Sequence, residues 1–203
     1  MTPVGALDWL GADTGLLLLL NSEEDSAPGP LMNTFGASMP FWASPGPLYW
    51  EGSLLFFHTY YQYEGDRPTP GEREKSNTLL TIGMQVESRF GYSFQLTEKL
   101  ALGGAAGLAL VFRFPFFGIE EGGENRGPAF SYLMTRFLYP QLEMRLVWDV
   151  LEAFGLGFSL RALFPLFHVW GGGAVPFYDQ FIVLGNLEFR IRLPVKRKET
   201  DEG

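Results

Sequence analysis

The sequence predicts an all-β fold, a closed up-and-down antiparallel β-barrel of about eight strands, and three observations carry that prediction. Apolar and polar residues alternate with period two over long stretches. The strands so defined exceed the ~5–6 residues usual in globular sheets. The connections between them alternate between long and short. Composition narrows the alternatives. The 203 residues are 46% hydrophobic and 16% aromatic, with a mean hydropathy of +0.04, too much apolar surface for a disordered chain. No apolar run approaches the ~20 residues of a membrane-spanning helix. Cysteine is absent, which excludes a disulfide scaffold and a thiolate metal site. A net charge of -8 gives no electrostatic basis for holding a phosphate backbone, so no nucleic-acid partner is expected.

The elements follow in chain order. A first strand is expected over 14–21, although the run from Leu16 to Leu20 has no facing pattern. That run is too short for the core of a signal peptide, and Asp8 and Asp13 stand where positive charge is expected, so the numbering is expected to begin near the mature chain. Segments 31–42 and 48–63 read as strands with irregular alternation. Over 77–96, Leu80, Ile82, Met84, Val86, Phe90, Tyr92 and Phe94 oppose Thr81, Gly83, Gln85, Glu87, Arg89 and Gly91. Over 99–116 one face is Leu100, Leu102, Leu108, Leu110, Phe112 and Phe114, and the other is Ala101, Gly103, Ala105, Gly107, Ala109, Val111 and Arg113. Leu142, Met144, Leu146 and Trp148 oppose Gln141, Glu143 and Arg145. Phe154, Leu156, Phe158 and Leu160 oppose Gly155, Gly157, Ser159 and Arg161. In the last strand Val183, Leu187, Phe189 and Ile191 oppose Asn186, Glu188, Arg190 and Arg192. Connections 22–30, 64–76, 118–128 and 171–179 are long, whereas 43–47, 97–99 and 149–151 are short. No linker divides the chain, so 1–203 reads as one domain with tails at 1–13 and 195–203.

The small face decides which solvent lies outside. Ala101, Gly103, Ala105, Gly107 and Ala109 would make a bare outer surface in water, but they fit inside a narrow barrel whose large Leu and Phe side chains meet lipid. Such a sheet must close, because an edge in hydrocarbon leaves backbone groups unpaired at several kcal/mol each. Trp42, Trp50 and Trp148 lie at strand ends beside the short turns, and Trp170 lies toward the long connections, as interfacial girdles require. A transmembrane barrel is therefore expected, with both termini on the periplasmic side.

On this architecture the sequence resembles the small outer-membrane barrels of the OmpA transmembrane domain, OmpX and OmpW type. The resemblance covers most of the chain and rests on alternation, girdles and loop asymmetry rather than on a diagnostic motif. It implies insertion in a Gram-negative-type outer membrane, contact with its lipid and handling by the outer-membrane assembly machinery; a monomer is expected. It transmits no specific activity.

The candidate site is the lumen. Glu87-Ser88-Arg89, Glu143-Met144-Arg145 and Glu188-Phe189-Arg190 repeat one unit, in which Glu and Arg two apart share the inward face. Glu51, Arg113, Arg161 and Arg192 face the same lumen. Ionised groups in a narrow interior must be paired or wet, so a salt-bridge network plugging the barrel is expected. If the path were open, inward Arg outnumbering Glu would favour anions. Pro115, Pro140 and Pro165 fall on three consecutive strands, where proline removes a ladder donor. They read either as strand ends above the membrane or as a lateral seam toward the outer leaflet.

His58 and His168 have no acid or nucleophile at a telling spacing, so the expectation is a non-enzymatic chain without metal or cofactor. The expected role is a membrane-spanning scaffold with acidic external loops. The rivals are a transport protein, passing small hydrophobic or polar solutes axially or laterally, and an outer-membrane lipid-modifying enzyme. The purified chain is expected to migrate faster on a gel unboiled than boiled; identical migration would count against a barrel.

Overall fold

The structure, a computed structural model, describes residues 9–20, 31–44, 46–64, 67–70, 78–116, 136–169 and 180–193. Nine strands account for most of them: β1 Trp9–Leu19, β2 Leu31–Ala43, β3 Leu48–Glu64, β4 Arg67–Pro70, β5 Thr78–Gln95, β6 Leu100–Phe116, β7 Leu138–Leu151, β8 Phe154–Leu163 and β9 Ile182–Arg192. All pairs are antiparallel. The ladder runs β2-β1-β9-β8-β7-β6-β5-β3, and β2 also pairs with β3, so eight strands close into a barrel. The short β4 extends β3 at its far end, pairing Glu64 with Arg67.

Closure is staggered. Following paired residues from Leu48 through Tyr92, Gly104, Met144, Leu160, Gly185 and Leu16 leads to Asn33, one residue beyond Thr34, whose own partner is Phe57. The circuit thus returns to β3 about ten residues above its start, a shear that tilts the strands by ~35–45° and fixes a narrow interior.

Period-two alternation now has physical content. Among outward residues, Met144 is 66% exposed and Leu142 56%, whereas inward Arg89 and Glu51 are each 1% exposed. This is the inverse of a protein dissolved in water, and it suits a hydrocarbon surround. Trp42, Trp50 and Trp148 are exposed at the short-turn end. The Trp50 indole N–H donates to Ser88 Oγ at 2.8 Å, which satisfies its polar edge. Trp170 lies outside the described residues, as do the side chains of Tyr60, Tyr61 and Tyr63 and the acidic loops.

Hydroxyls organise two of the short turns. Ser44 Oγ accepts from the backbone N–H of Gly46 and of Leu48, each at 3.1 Å, and Thr97 Oγ1 accepts from Leu100 N–H at 3.0 Å. A bulge between Pro40 and Trp42 puts both Phe41 and Trp42 on the outer face, so Pro40 terminates regular pairing without opening the wall.

One expectation is corrected. The first strand begins at Trp9 rather than 14, so residues 9–13 belong to the wall and not to a tail. They pair with β9 from Trp9↔Arg192 onward, and their small residues Gly11 and Ala12 show no apolar alternation. No seam opens at Pro140 among the described residues. β6 pairs with β7 through eleven consecutive residues, Leu100↔Trp148 to Leu110↔Leu138, with no register shift at Pro140; this matches the ~9–11 residues of a bilayer crossing. Phe164 N–H donates to the Pro140 carbonyl at 2.8 Å. Pro165 follows the end of β8, and Pro115 pairs with Thr81 near the long-connection end.

Inward glycines make room for inward rings. A Cβ on Gly83 would lie 2.1 Å from Phe57 Cζ, and one on Gly91 2.3 Å from Tyr49 Cζ; each ring lies over the glycine of its cross-strand pair. By contrast, a Cβ on outward Gly104 would meet nothing closer than 3.7 Å. Gly83→Val is therefore expected to lose about 1–3 kcal/mol or more of stability by overpacking, and Gly104→Val to be tolerated. The urea midpoint for loss of the fast-migrating gel band measures both, and equal midpoints would contradict the packing.

Candidate functional site: the barrel interior

Four acids and four arginines meet in the half of the lumen nearer the short turns. Glu51 comes from β3, Glu87 and Arg89 from β5, Glu143 and Arg145 from β7, Arg161 from β8, and Glu188 and Arg190 from β9. Arg89 Nη2 lies 2.8 Å from Glu51 Oε1, and its Nη1 contacts Glu87 and also lies 3.4 Å from Glu143 Oε2. Arg145 Nη1 is 2.6 Å from Glu51 Oε2. Arg161 bridges Glu87 and Glu143, both at 2.7 Å. Arg190 Nη2 lies 2.7 Å from Glu188 Oε2. The forked guanidinium suits this geometry, since one Arg serves two or three carboxylates.

Neutral groups complete the layer. Ser53 Oγ and Gln85 Nε2 each donate to Glu87 at 2.5 Å, and Ser38 Oγ donates to Glu188 Oε1 at 2.7 Å. Within this layer the numbers of Arg and Glu are equal, and the excess of inward Arg lies in Arg113 and Arg192, outside the layer. Arg113 lies apart, nearer the long connections, donating to Tyr139 Oη and to the Arg136 carbonyl. Arg192 sits at the rim, 3.5 Å from Asp149.

Asp13, Ser38 and Ser53 are members that the repeated Glu-x-Arg unit does not reveal. Asp13 is 4% exposed, faces Glu188 directly across the β1–β9 ladder, and accepts from Asn186 Nδ2. Its only sequence signal is a lone acid in an otherwise small or apolar stretch.

A second layer lies toward the long connections, and of its members only Ala109 and Val111 were placed inward by the sequence pattern. Leu17, Leu19, Met32, Leu55, Phe57, Ala109, Val111, Tyr139, Leu163, Ile182 and Leu184 form one buried cluster, each 5% exposed or less. The stacking order is the same on every strand that supplies both layers: Leu55 and Phe57 lie beyond Glu51 on ascending β3, Leu163 beyond Arg161 on β8, and Ile182 and Leu184 precede Glu188 on descending β9. The lumen is thus ionic below and largely apolar above, with Arg113 held against Tyr139 in the upper part. Below the ionic layer, a vestibule of about 640 Å³ opens at the short-turn end, between Trp9, Tyr49, Arg145, Arg190 and Arg192. No three acidic or His side chains cluster to hold a metal among the described residues. His58 is exposed on the outer face, and the side chain of His168 lies outside the described residues.

No family model matches the chain, and no curated protein matches it. Solved structures do. Neisserial surface protein A (NspA) superposes with a TM-score of 0.59 at 10% identity, over 91% of this chain and 96% of that one. The outer membrane protein OprG from Pseudomonas aeruginosa gives 0.54 at 10% identity, over 95% and 99%. The fold is that of the small outer-membrane β-barrels. At such identity the likeness concerns the fold alone, so what the lumen does rests on its own residues.

Breaking a buried pair strands its partner, at about 3–5 kcal/mol. Glu51→Gln, which removes the carboxylate shared by Arg89 and Arg145, is expected to cost that much in urea unfolding of the refolded barrel. Asp13 opposes another carboxylate and has no ion pair of its own among the described residues, and like charges directly opposite destabilise a sheet. Asp13→Asn is therefore expected to leave the midpoint unchanged or raise it. A loss as large as that of Glu51→Gln would contradict this assignment.

Proposed function

We propose that this chain is a membrane-spanning scaffold of an outer membrane, with its lumen closed by its own side chains. The short turns and both termini face the periplasm, and the long connections, which carry the acidic clusters, face outward. The observation that carries the reading is the pair of buried layers stacked across the lumen. An ion passing the lower layer would displace a carboxylate already bonded to two arginines, and it would then meet an apolar layer with little to solvate it. Eight strands leave an interior that side chains can fill, and here both layers are filled. The unbroken β6–β7 ladder supports a closed wall as well. The non-enzymatic reading is supported by His58, which faces away from the lumen.

The purified barrel in planar bilayers is expected to give no reproducible conductance steps. Liposomes carrying it are expected to swell no faster in small sugars than empty ones. Discrete steps of constant size in the refolded chain would replace the scaffold with a channel.

A further inference from the structure

We propose that the short-turn vestibule binds a small carboxylate with an aromatic or apolar body, gripped by Arg145, Arg190 and Tyr49 and flanked by Trp9. The volume of about 640 Å³ is that of a small-molecule pocket. The aromatic rings that face into it are those of Trp9 and Tyr49, each stacked against an inward arginine.

The chemistry lies on the inner wall, where acceptors are spent and donors remain. Glu51 is the acid on that wall, and both its oxygens are engaged: Oε1 by Arg89 and Arg145, Oε2 by Arg145. The Tyr49 hydroxyl has no hydrogen-bond partner among the described residues, although Tyr49 is only 7% exposed. Arg145 stacks on the Tyr49 ring at 4.6 Å and makes its ion pairs through Nη1 and Nε, with none at Nη2 among the described residues. Arg190 donates to Glu188 through Nε, while its Nη2, 2.7 Å from the same carboxylate, makes no hydrogen bond among the described residues, and its guanidinium is held against the Trp9 ring at 4.1 Å. Arg192, at the mouth, is already occupied by Asp149 and by the Glu152 carbonyl.

Two guanidinium groups thus border one cavity, and the buried Tyr49 hydroxyl lies beside Arg145 with no partner among the described residues. A buried donor left unmade is costly. A carboxylate, acceptor-only with two oxygens, is the group that satisfies several donors at once through charge-assisted bonds. The aromatic walls then select a ligand with a flat or apolar remainder. The site is the lower surface of the ionic layer, from which it takes Arg145 and Arg190, and it is read out by binding rather than by conductance.

The test uses the refolded full chain in dodecylmaltoside micelles, with 4-(trifluoromethyl)benzoate as the probe and fluorine NMR as the readout. The expected result is a saturable shift absent from empty micelles, weakened at least about fivefold by Tyr49→Phe and by Arg190→Gln. The uncharged 4-(trifluoromethyl)benzyl alcohol is expected to be weakened to a similar degree. Equal binding by the alcohol, or folded variants that bind like the parent, would overturn the site. So would a shift no larger than that of protein-free micelles. Should a variant fail to give the fast-migrating folded band, nuclear Overhauser contacts between the probe ring and the Trp9 indole in the parent chain decide, and their absence rejects the proposal.

Discussion

Everything in this molecule depends on closing a hydrogen-bonded ladder in a medium that offers no other partner for the backbone. In hydrocarbon an open strand edge is untenable, so β9 must return to β1 and β2 must also meet β3. Closure with eight strands and a stagger of about ten residues sets a lumen too narrow for bulk water and too wide for backbone alone. Side chains must fill it. The glycines beneath Phe57 and Tyr49 are one consequence, since each ring needs a neighbouring strand without a Cβ. The inverted exposure of polar and apolar residues is another.

Filling a lumen with charge is expensive, because each ion leaves water. The barrel offsets that cost by balance and by sharing. Arg89 meets three carboxylates, and Arg161 meets two. The pairs also join strands that are not neighbours in the sheet: Arg145 of β7 with Glu51 of β3, and Arg161 of β8 with Glu87 of β5. Backbone hydrogen bonds tie each strand only to the next, so these contacts brace the wall across its diameter. A one-residue slip of any strand would turn its charged residue into lipid, so the network also fixes the register.

The wall was legible in the sequence wherever the two faces meet different surroundings. From Thr81 to Gly91 and from Gln141 to Arg145 the inward face is polar or small, so alternation gave the strands and their facing. It failed where both faces are apolar. Leu16 to Leu20 shows no pattern because Leu17 and Leu19 enter the lumen's apolar layer while their neighbours meet lipid. The same holds for Ile182, Val183 and Leu184. Loss of alternation near the long-connection ends was therefore itself a signal, that of a greasy upper lumen. Six of the charged residues were found because Glu-x-Arg repeats on one face, and Glu51 and Arg161 because they share the inward facing. Asp13 carries no such repeat, and the vestibule's donors come from three strands, β3, β7 and β9, a convergence that only the closed geometry creates.

The two layers also complement one another energetically. An ionic layer alone is a poor barrier, because arginine and glutamate side chains are long and water entering between them would lower the cost of separating each pair. The apolar layer alone would seal the lumen but would do little to specify register, since Leu, Ile and Val packing tolerates exchange of similar volumes. Stacked, each corrects the weakness of the other. The dry layer keeps water from the carboxylates on the side of Leu55 and Leu184, which strengthens every ion pair beneath it. The ion pairs, for their part, hold at fixed heights the strands on which the apolar side chains interlock. Removing charge from the lower layer should therefore loosen the upper one even though no atom there changes. In so narrow a barrel the layers act as one structural unit, and its integrity matters to the wall as much as hydrogen bonds between strands do.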